Sequence, residues 1–297
     1  EILNRRWFWA IPALLLVVGA WTAEKIQFVQ PKAAKPLSVS LIQGNIPQNL
    51  KWLTEYQIKT LEIYSKLTRN EWGRDLIVWP ESSIPLFQTD IPEFLKAMDA
   101  QAKRSDSAWV TGIPYWDISA SRAAGEPLYY NTIMASGFES EGLYKKQRLV
   151  PFGEYIPLSG ALKWVLPAMQ KYVSMSGFSL GEDNQKPLVV KGHALAAAVC
   201  YEVAYPNLTR RNATNSDFLI TVSNDAWFTG TAGPWQHLQM VQMRAKENGR
   251  WFIRATNTGV TAFIDHQGHI VQQAPLDQRT VLRGELPAMQ GQTLYNR

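Results

Sequence analysis

The chain has 297 residues, 46% hydrophobic and 19% charged, with a formal charge of +5 at neutral pH. That balance excludes wholesale disorder and leaves room for one large α/β domain or two ordinary ones. A single cysteine excludes an internal disulfide and any cysteine-cluster metal site, and no basic run exceeds Lys145-Lys146-Gln147-Arg148, so no nucleic-acid partner is expected.

In chain order, Arg5-Arg6 precede an uncharged apolar run from Trp7 to Ala23, with Trp7, Trp9 and Trp21 toward its ends. The pattern predicts a membrane-spanning helix over 7–23, behind a cytoplasmic flank at 1–6. A signal peptide is the competing reading. Pro12 inside the run is tolerated in membrane helices. Two arginines at the start favour an inside N-terminus, which puts the rest of the chain outside the cytoplasm.

Residues 24–36 read as a linker with two prolines near its end, and 37–297 as the folded domain. Strands are expected at 37–42, 76–79 and 109–113, alternating with helices at 49–71 and 91–104. The polar stretch 117–127 reads as a loop, followed by adjacent strands at 131–136 and 142–146. Residues 151–157 are too rich in Pro and Gly to be regular. The stretch 159–178 is apolar and aromatic but carries Pro167 and Gly177, so it reads as core, lid or membrane-facing loop. Further on come a strand at 193–199, a strand at 218–222, a helix at 236–248 stopped by Gly249, and strands at 251–254, 260–265 and 269–272. Together these imply an α/β fold with a mixed sheet.

Three polar residues stand at the ends of predicted strands: Glu81, Lys146 and Cys200. Functional groups in open α/β sheets gather at such ends. Cys200 closes the run Ala196-Ala197-Ala198-Val199. By itself that stretch reads as a packed core thiol, because free cysteine is among the most buried residue types. A nucleophile on a strand-to-helix turn is the competing reading, which this stretch alone does not favour. A free thiol, with a pKa of about 8.5, is mostly protonated at neutral pH and needs a base or a nearby cation. A glutamate raised by burial is such a base, and a lysine stabilises a developing oxyanion. Plain alternatives exist: Glu81 as a helix cap, Lys146 as a solvated neighbour of Lys145. A papain-like pairing of Cys200 with His237 is a further one, set back by the position of His237 in a predicted helix. The four histidines are scattered, with no HExxH, so no metal site is expected.

Trp79-Pro80-Glu81, the run from Tyr144 to Glu154, and Cys200-Tyr201-Glu202 resemble, in that order, the Glu-Lys-Cys signatures of the nitrilase superfamily. Longer stretches are more specific. Leu149-Val150-Pro151-Phe152-Gly153-Glu154-Tyr155, Asn224-Asp225-Ala226-Trp227-Phe228, Gln236-His237-Leu238-Gln239 and Arg254-Ala255-Thr256-Asn257-Thr258-Gly259 resemble the bacterial apolipoprotein N-acyltransferases, a family within it.

The resemblance implies a nitrilase-like four-layer αββα sandwich preceded by a transmembrane helix, on the outer, periplasmic side of the bacterial inner membrane. It makes Cys200 the nucleophile, Glu81 the general base and Lys146, rather than Lys145, the triad lysine. Glu154 corresponds to an auxiliary acid, Tyr201 and Glu202 flank the nucleophile, and Trp52 matches a tryptophan near the site. Trp227, Phe228 and Trp164 are expected at a lipid-facing rim. The implied reaction carries the sn-1 acyl chain of a membrane phospholipid, through a Cys200 thioester, to the N-terminal amine of a diacylglyceryl-apolipoprotein, without a cofactor. A membrane-tethered amidase or nitrilase with the same triad is the alternative. A non-catalytic binding domain is a third reading, which would fit best had the triad been lost. The family carries several membrane helices before this domain and one after it, so the chain reads as part of a longer protein. Thr229 stands where relatives often have Gly.

Overall fold

The computed structural model describes residues 2–24, 26–151, 153–155, 177–228 and 230–297, with side chains of the first helix described over 10–22. In order, the first half holds α1 (Ile2–Glu24), β1 (Val29–Pro31), β2 (Leu37–Gln43), α2 (Gln48–Lys51), α3 (Thr54–Thr68), β3 (Leu76–Val78), α4 (Pro92–Arg104), β4 (Ala108–Trp116), α5 (Ile118–Ala124), β5 (Tyr129–Gly137) and β6 (Ser140–Lys145). The second half holds β7 (Leu188–Val190), β8 (His193–Val199), a 3-10 turn (Cys200–Ala204), α6 (Pro206–Ala213), β9 (Phe218–Ser223), α7 (Gly233–Asn248), β10 (Phe252–Thr256), β11 (Ala262–Ile264), β12 (Ile270–Gln273), β13 (Thr280–Leu286) and β14 (Met289–Gly291).

The long strands are apolar on both faces, and both faces are covered. Leu195, Ala197 and Val199 of β8 pack with Val39, Leu76, Val110 and Ile220 in one cluster between two sheets. Ala196 and Ala198 point the other way, against Leu238, Val241 and Ala245 of α7. Ile77, Trp79 and Trp109 face Leu61, Tyr64 and Met98 of α3 and α4. The period-two alternation of each strand thus builds four layers, helix–sheet–sheet–helix, an α/β sandwich. The strands run in one hydrogen-bonded order, β12-β11-β10-β9-β8-β7-β6-β5-β4-β3-β2-β13, and the two facing sheets are its halves, joined at β6, which pairs with β5 through 142–145 and with β7 through 140–141. Two parallel trios, β2-β3-β4 and β8-β9-β10, lie within it, each extended by antiparallel strands. Glu81 and Cys200 follow the carboxyl ends of trio strands, and Lys146 follows β6.

Several expectations change. The stretch read as a linker contains β1, which pairs antiparallel with β14. An ion pair between Lys32 and Asp217, which also accepts from the backbone of Ala194, adds to this tie. The single helix expected over 49–71 breaks at Trp52 and Leu53, where Leu53 is extended with φ −71° and ψ 130°. β4 runs on through Gly112 and Pro114 to Trp116, because its pairing with β3 stops at Val110 and leaves the far edge of Pro114 unpaired. The stretch read as a loop at 117–127 holds α5, capped by Asp117, which accepts from the Ala120 N–H at 2.9 Å. β13, not foreseen, pairs with β2 from Thr280↔Gln43 to Leu286↔Leu37 and covers that sheet edge.

α1 is a helix where one was expected, and its apolar side chains Leu14, Leu16 and Val17 are exposed. Among the described residues no helix is long and apolar enough to cross a membrane, so the helix is borne out and the span is not. Trp164, most of the stretch 159–178, and Thr229 lie outside the described residues.

Candidate active site

Two carboxylates and one cation meet at the centre of the site. Lys146 is 1% exposed, and its Nζ lies 2.8 Å from the Glu154 carboxylate and 3.7 Å from Glu81 Oε1. The Asn131 amide bridges the same acids, donating to Glu81 Oε1 at 2.8 Å and Glu154 Oε1 at 2.9 Å. Val150 N–H donates to the other oxygen of Glu154 at 2.8 Å. A buried charge is tolerated when it is paired and hydrogen-bonded, and here each is. Burial works against the Lys146 ammonium, but the charges of Glu81, Glu154 and the Cys200 site outweigh it, and the net shift is upward. The site thus favours the charged form of Lys146.

Glu81 owes its place to a tight approach. It follows β3 on a turn whose next residue, Ser82, is left-handed at φ +46°. Lys51, buried at the end of α2, donates to the Glu81 carbonyl at 2.9 Å. Burial pulls the Lys51 ammonium down to about 8, against the opposing charge of Glu81. On the other side, a Cβ at Gly112 would lie 2.6 Å from both Glu81 Cα and the Pro80 carbonyl. Gly112→Ala is thus expected to push the Glu81 turn away and cost about 1–3 kcal/mol of stability, as overpacking does. Denaturant unfolding measures this; unchanged stability would mean that the turn yields freely.

Cys200 begins the 3-10 turn after β8 in the left-handed region, φ +51°. A non-glycine residue there is strained and persists only because its surroundings hold it. Burial pushes its thiol well up, the Glu81 charge adds to that, and Lys146 pulls only part of the way back. The net effect favours the protonated thiol. Two carboxylate-centred clusters brace the turn.

The first is Glu202, fully buried. Its carboxylate accepts from the backbone N–H groups of Gln147 (2.6 Å), Arg148 (3.0 Å) and Val199 (2.7 Å), and from the Tyr144 hydroxyl at 3.1 Å. One side chain therefore joins the end of the Lys146 strand to the Cys200 turn. Burial pushes its carboxyl up to about 7, the N–H of Val199 pulling the other way.

The second is centred on Asp225. Its Oδ1 lies 2.9 Å from His237 Nδ1 and accepts from Ser223 at 2.7 Å, while Oδ2 accepts from Arg254 at 2.6 Å. His237 Nε2 lies 3.0 Å from the Cys200 carbonyl. Burial favours the neutral acid, but Arg254, His237 and Ser223 hold the Asp225 carboxyl below the usual range. Cys200, Asp225 and His237 offer donor atoms within 4.8 Å of one another. A metal ion does not suit them, because the Arg254 guanidinium already stands beside Asp225 and 3.3 Å from His237 Nδ1.

The remaining predicted residues lie next in the chain to residues of this centre: Tyr201 follows Cys200, Trp227 and Phe228 come after Asp225, and Trp52 follows Lys51. Tyr201 is exposed, with its ring edge-on to Tyr205 at 5.4 Å. Trp227 and Phe228 are 51% and 48% exposed on the turn before α7. Trp52 walls a cavity of about 640 Å³ with Leu86, Phe87, Tyr129 and Phe178. Sequence reasoning missed Asn131, Lys51 and Arg254. Nothing in its local sequence marks Asn131; Lys51 sits beside the noted Trp52, and Arg254 opens the motif Arg254–Gly259, which marked the stretch without giving the residue a role. Only as a papain-like partner of Cys200 is His237 set back, by its position in a predicted helix. It does lie in α7, and it reaches the Cys200 main chain from there.

The profile of the carbon-nitrogen hydrolase family matches residues 38–294. Over 290 residues, 97% of the chain, it is 44% identical to a protein of Azotobacter vinelandii named apolipoprotein N-acyltransferase, 53% of which is covered. A protein of the same name from Photobacterium profundum is 38% identical over 304 residues, 99% of the chain and 57% of that protein. The chain thus spans little more than half the length of these curated relatives. Among solved structures, a CN-hydrolase superfamily protein of Xanthomonas campestris, XC1258, is similar in fold, with TM-score 0.61 and 18% identity, over 85% of this chain and 91% of that one.

Proposed function

The chain belongs to the carbon-nitrogen hydrolase family, and from that premise we propose that it is the acyl-transfer domain of an apolipoprotein N-acyltransferase. The observation that carries the proposal is the buried Lys146 cation shared by Glu81 and Glu154, within electrostatic reach of the strained Cys200 thiol. The names of the relatives, matched along nearly the whole chain, supply the substrate class.

In the first half-reaction Cys200 Sγ attacks the sn-1 ester carbonyl of a phospholipid and its proton passes to Glu81. The oxyanion rests against Lys146 Nζ and the Tyr201 N–H. Glu81 returns the proton to the departing glycerol oxygen, leaving a lysophospholipid and a Cys200 thioester. In the second half-reaction the terminal amine of a diacylglyceryl-cysteine attacks the thioester and Glu81 accepts a proton from it. The tetrahedral adduct expels the sulfur, which recovers a proton from Glu81, and an amide is formed. Glu154 and Asn131 hold Glu81 and Lys146 in register throughout. The chemistry calls for neither metal nor organic cofactor.

The lipid has to reach this site. The exposed apolar face of α1 fits a membrane anchor, with the catalytic domain on the periplasmic side. Trp227 and Phe228 form an apolar rim that meets acyl chains, and the cavity beside Trp52 has the size and lining of a lipid-tail pocket. Keeping water off the thioester is the task of that rim. Replacing Trp227 and Phe228 together by Ser is expected to speed hydrolysis of the acyl-enzyme, once formed, several-fold; equal hydrolysis rates would remove the rim from the account.

The function itself is tested by incubating the protein with dipalmitoyl phosphatidylethanolamine and weighing it intact. A palmitoyl adduct on Cys200, discharged by a diacylglyceryl-cysteine peptide to give an amide, is expected. Turnover of short amides with no long-chain adduct would make the chain a membrane-tethered amidase instead.

A further inference from the structure

We infer that His237, backed by Asp225 and Arg254, is a positioning residue that aims one of the two oxyanion donors, by gripping the opposite end of the donor's own peptide unit. The inference rests on the reading of Cys200 as an acyl-forming nucleophile.

The Cys200 carbonyl and the Tyr201 N–H belong to the same peptide group. That group is planar and trans, so its C=O and N–H point in opposite directions. Whatever fixes the carbonyl therefore fixes the N–H. His237 Nε2 lies 3.0 Å from that carbonyl oxygen. A carbonyl only accepts, so the shared proton belongs to Nε2. With the carbonyl turned toward α7, the Tyr201 N–H points away from the helix. It also stands at the start of the 3-10 turn Cys200–Ala204, where N–H groups have no acceptor within the helix. It is free to meet a developing negative charge.

The grip is rigid because each partner is held from behind. The His237 ring is fixed through Nδ1 by Asp225 Oδ1 at 2.9 Å. Asp225 is fixed by Arg254 at 2.6 Å, and the Arg254 Nε donates to the Val260 carbonyl at 3.0 Å. Asp225 and Arg254 are fully or almost fully buried, and His237 nearly so. These residues come from the turn after β9, from β10 and from α7, so the cluster refers the peptide to three separate elements. The grip also opposes relaxation of the left-handed Cys200 backbone, φ +51°, a strained conformation that would otherwise rotate the peptide. A role as base for the thiol does not fit, because the nitrogen facing the turn is engaged by the carbonyl and the other by Asp225.

The test separates two reactions of the same thiol. Alkylation by iodoacetamide is a displacement at carbon that forms no oxyanion. Acylation by p-nitrophenyl butyrate forms one. In His237→Ala, alkylation of Cys200 is expected to stay near the wild-type rate while acylation falls about 100-fold, the effect of losing one oxyanion donor. His237→Gln, which restores an N–H toward the carbonyl, is expected to recover a large part of that loss. A parallel fall of both rates in His237→Gln, or no fall of acylation in either variant, overturns the inference. Should wild-type protein acylate with p-nitrophenyl butyrate and not with dipalmitoyl phosphatidylethanolamine, the lipid reading alone fails, and the ratio of the two rates still decides the role of His237.

Discussion

Lys146→Met is expected to slow acyl-enzyme formation at Cys200 by about 10²–10³-fold, the scale on which single oxyanion donors act. It is also expected to destabilise the fold by about 3–5 kcal/mol, as removal of one partner from a buried ion pair does. Met keeps the length and bulk of the side chain and removes only the charge and its hydrogen bonds. Glu81 and Glu154 then face one another across the Asn131 amide with nothing positive between them. The two effects come apart in the double variant Lys146→Met, Glu154→Gln. Removing the second charge relieves repulsion, so part of the stability returns, while the rate stays low because the cation is still missing. Chemical denaturation and single-turnover acylation measure the two quantities. A double variant that recovers both would mean that Lys146 matters only for folding.

Glu202→Gln is the second large effect. The carboxylate accepts from three backbone N–H groups and a hydroxyl. A glutamine turns an N–H2 toward at least one of those donors, and each buried donor left unsatisfied costs about 1–3 kcal/mol. A loss of about 2–4 kcal/mol follows. Because the same carboxylate joins Arg148 to Val199, the Lys146 strand and the Cys200 turn are expected to drift apart. Alkylation and acylation of Cys200 should then fall together, unlike the split expected for His237→Ala. A Glu202→Gln protein with wild-type melting temperature and both rates intact would show that the staple is dispensable.

The elements easiest to read in the sequence are those whose signal is local. β8 is predicted at 193–199 and found as His193–Val199, because an uninterrupted small apolar run bounded by polar residues leaves little choice. α7 ends where Gly249 adopts φ +62°, as a C-terminal glycine does. The elements misread are of two kinds, one decided by a partner distant in the chain and one carrying a local signal too slight beside its composition. β13 is half-exposed and weakly patterned, and it is a strand because β2 pairs with it. α5 is short and polar, and its cap at Asp117 is a signal that was present but outweighed by composition.

The sequence by itself determined the residue types at strand ends: a lone Cys200, Glu81, Lys146, and the motif resemblance that orders them. It determined the apolar run at 7–23 and the alternation of strands and helices that implies an α/β fold with a mixed sheet. Only the tertiary structure decided which polar groups share a hydrogen bond. Asn131 bridges Glu81, 50 residues away, and Glu154, 23 residues away. His237 holds a carbonyl 37 residues before it. Periodicity reports which face of an element is apolar. It carries no information about which polar atom a buried side chain meets across the sandwich, because that depends on sheet order and crossover geometry, which no local pattern encodes.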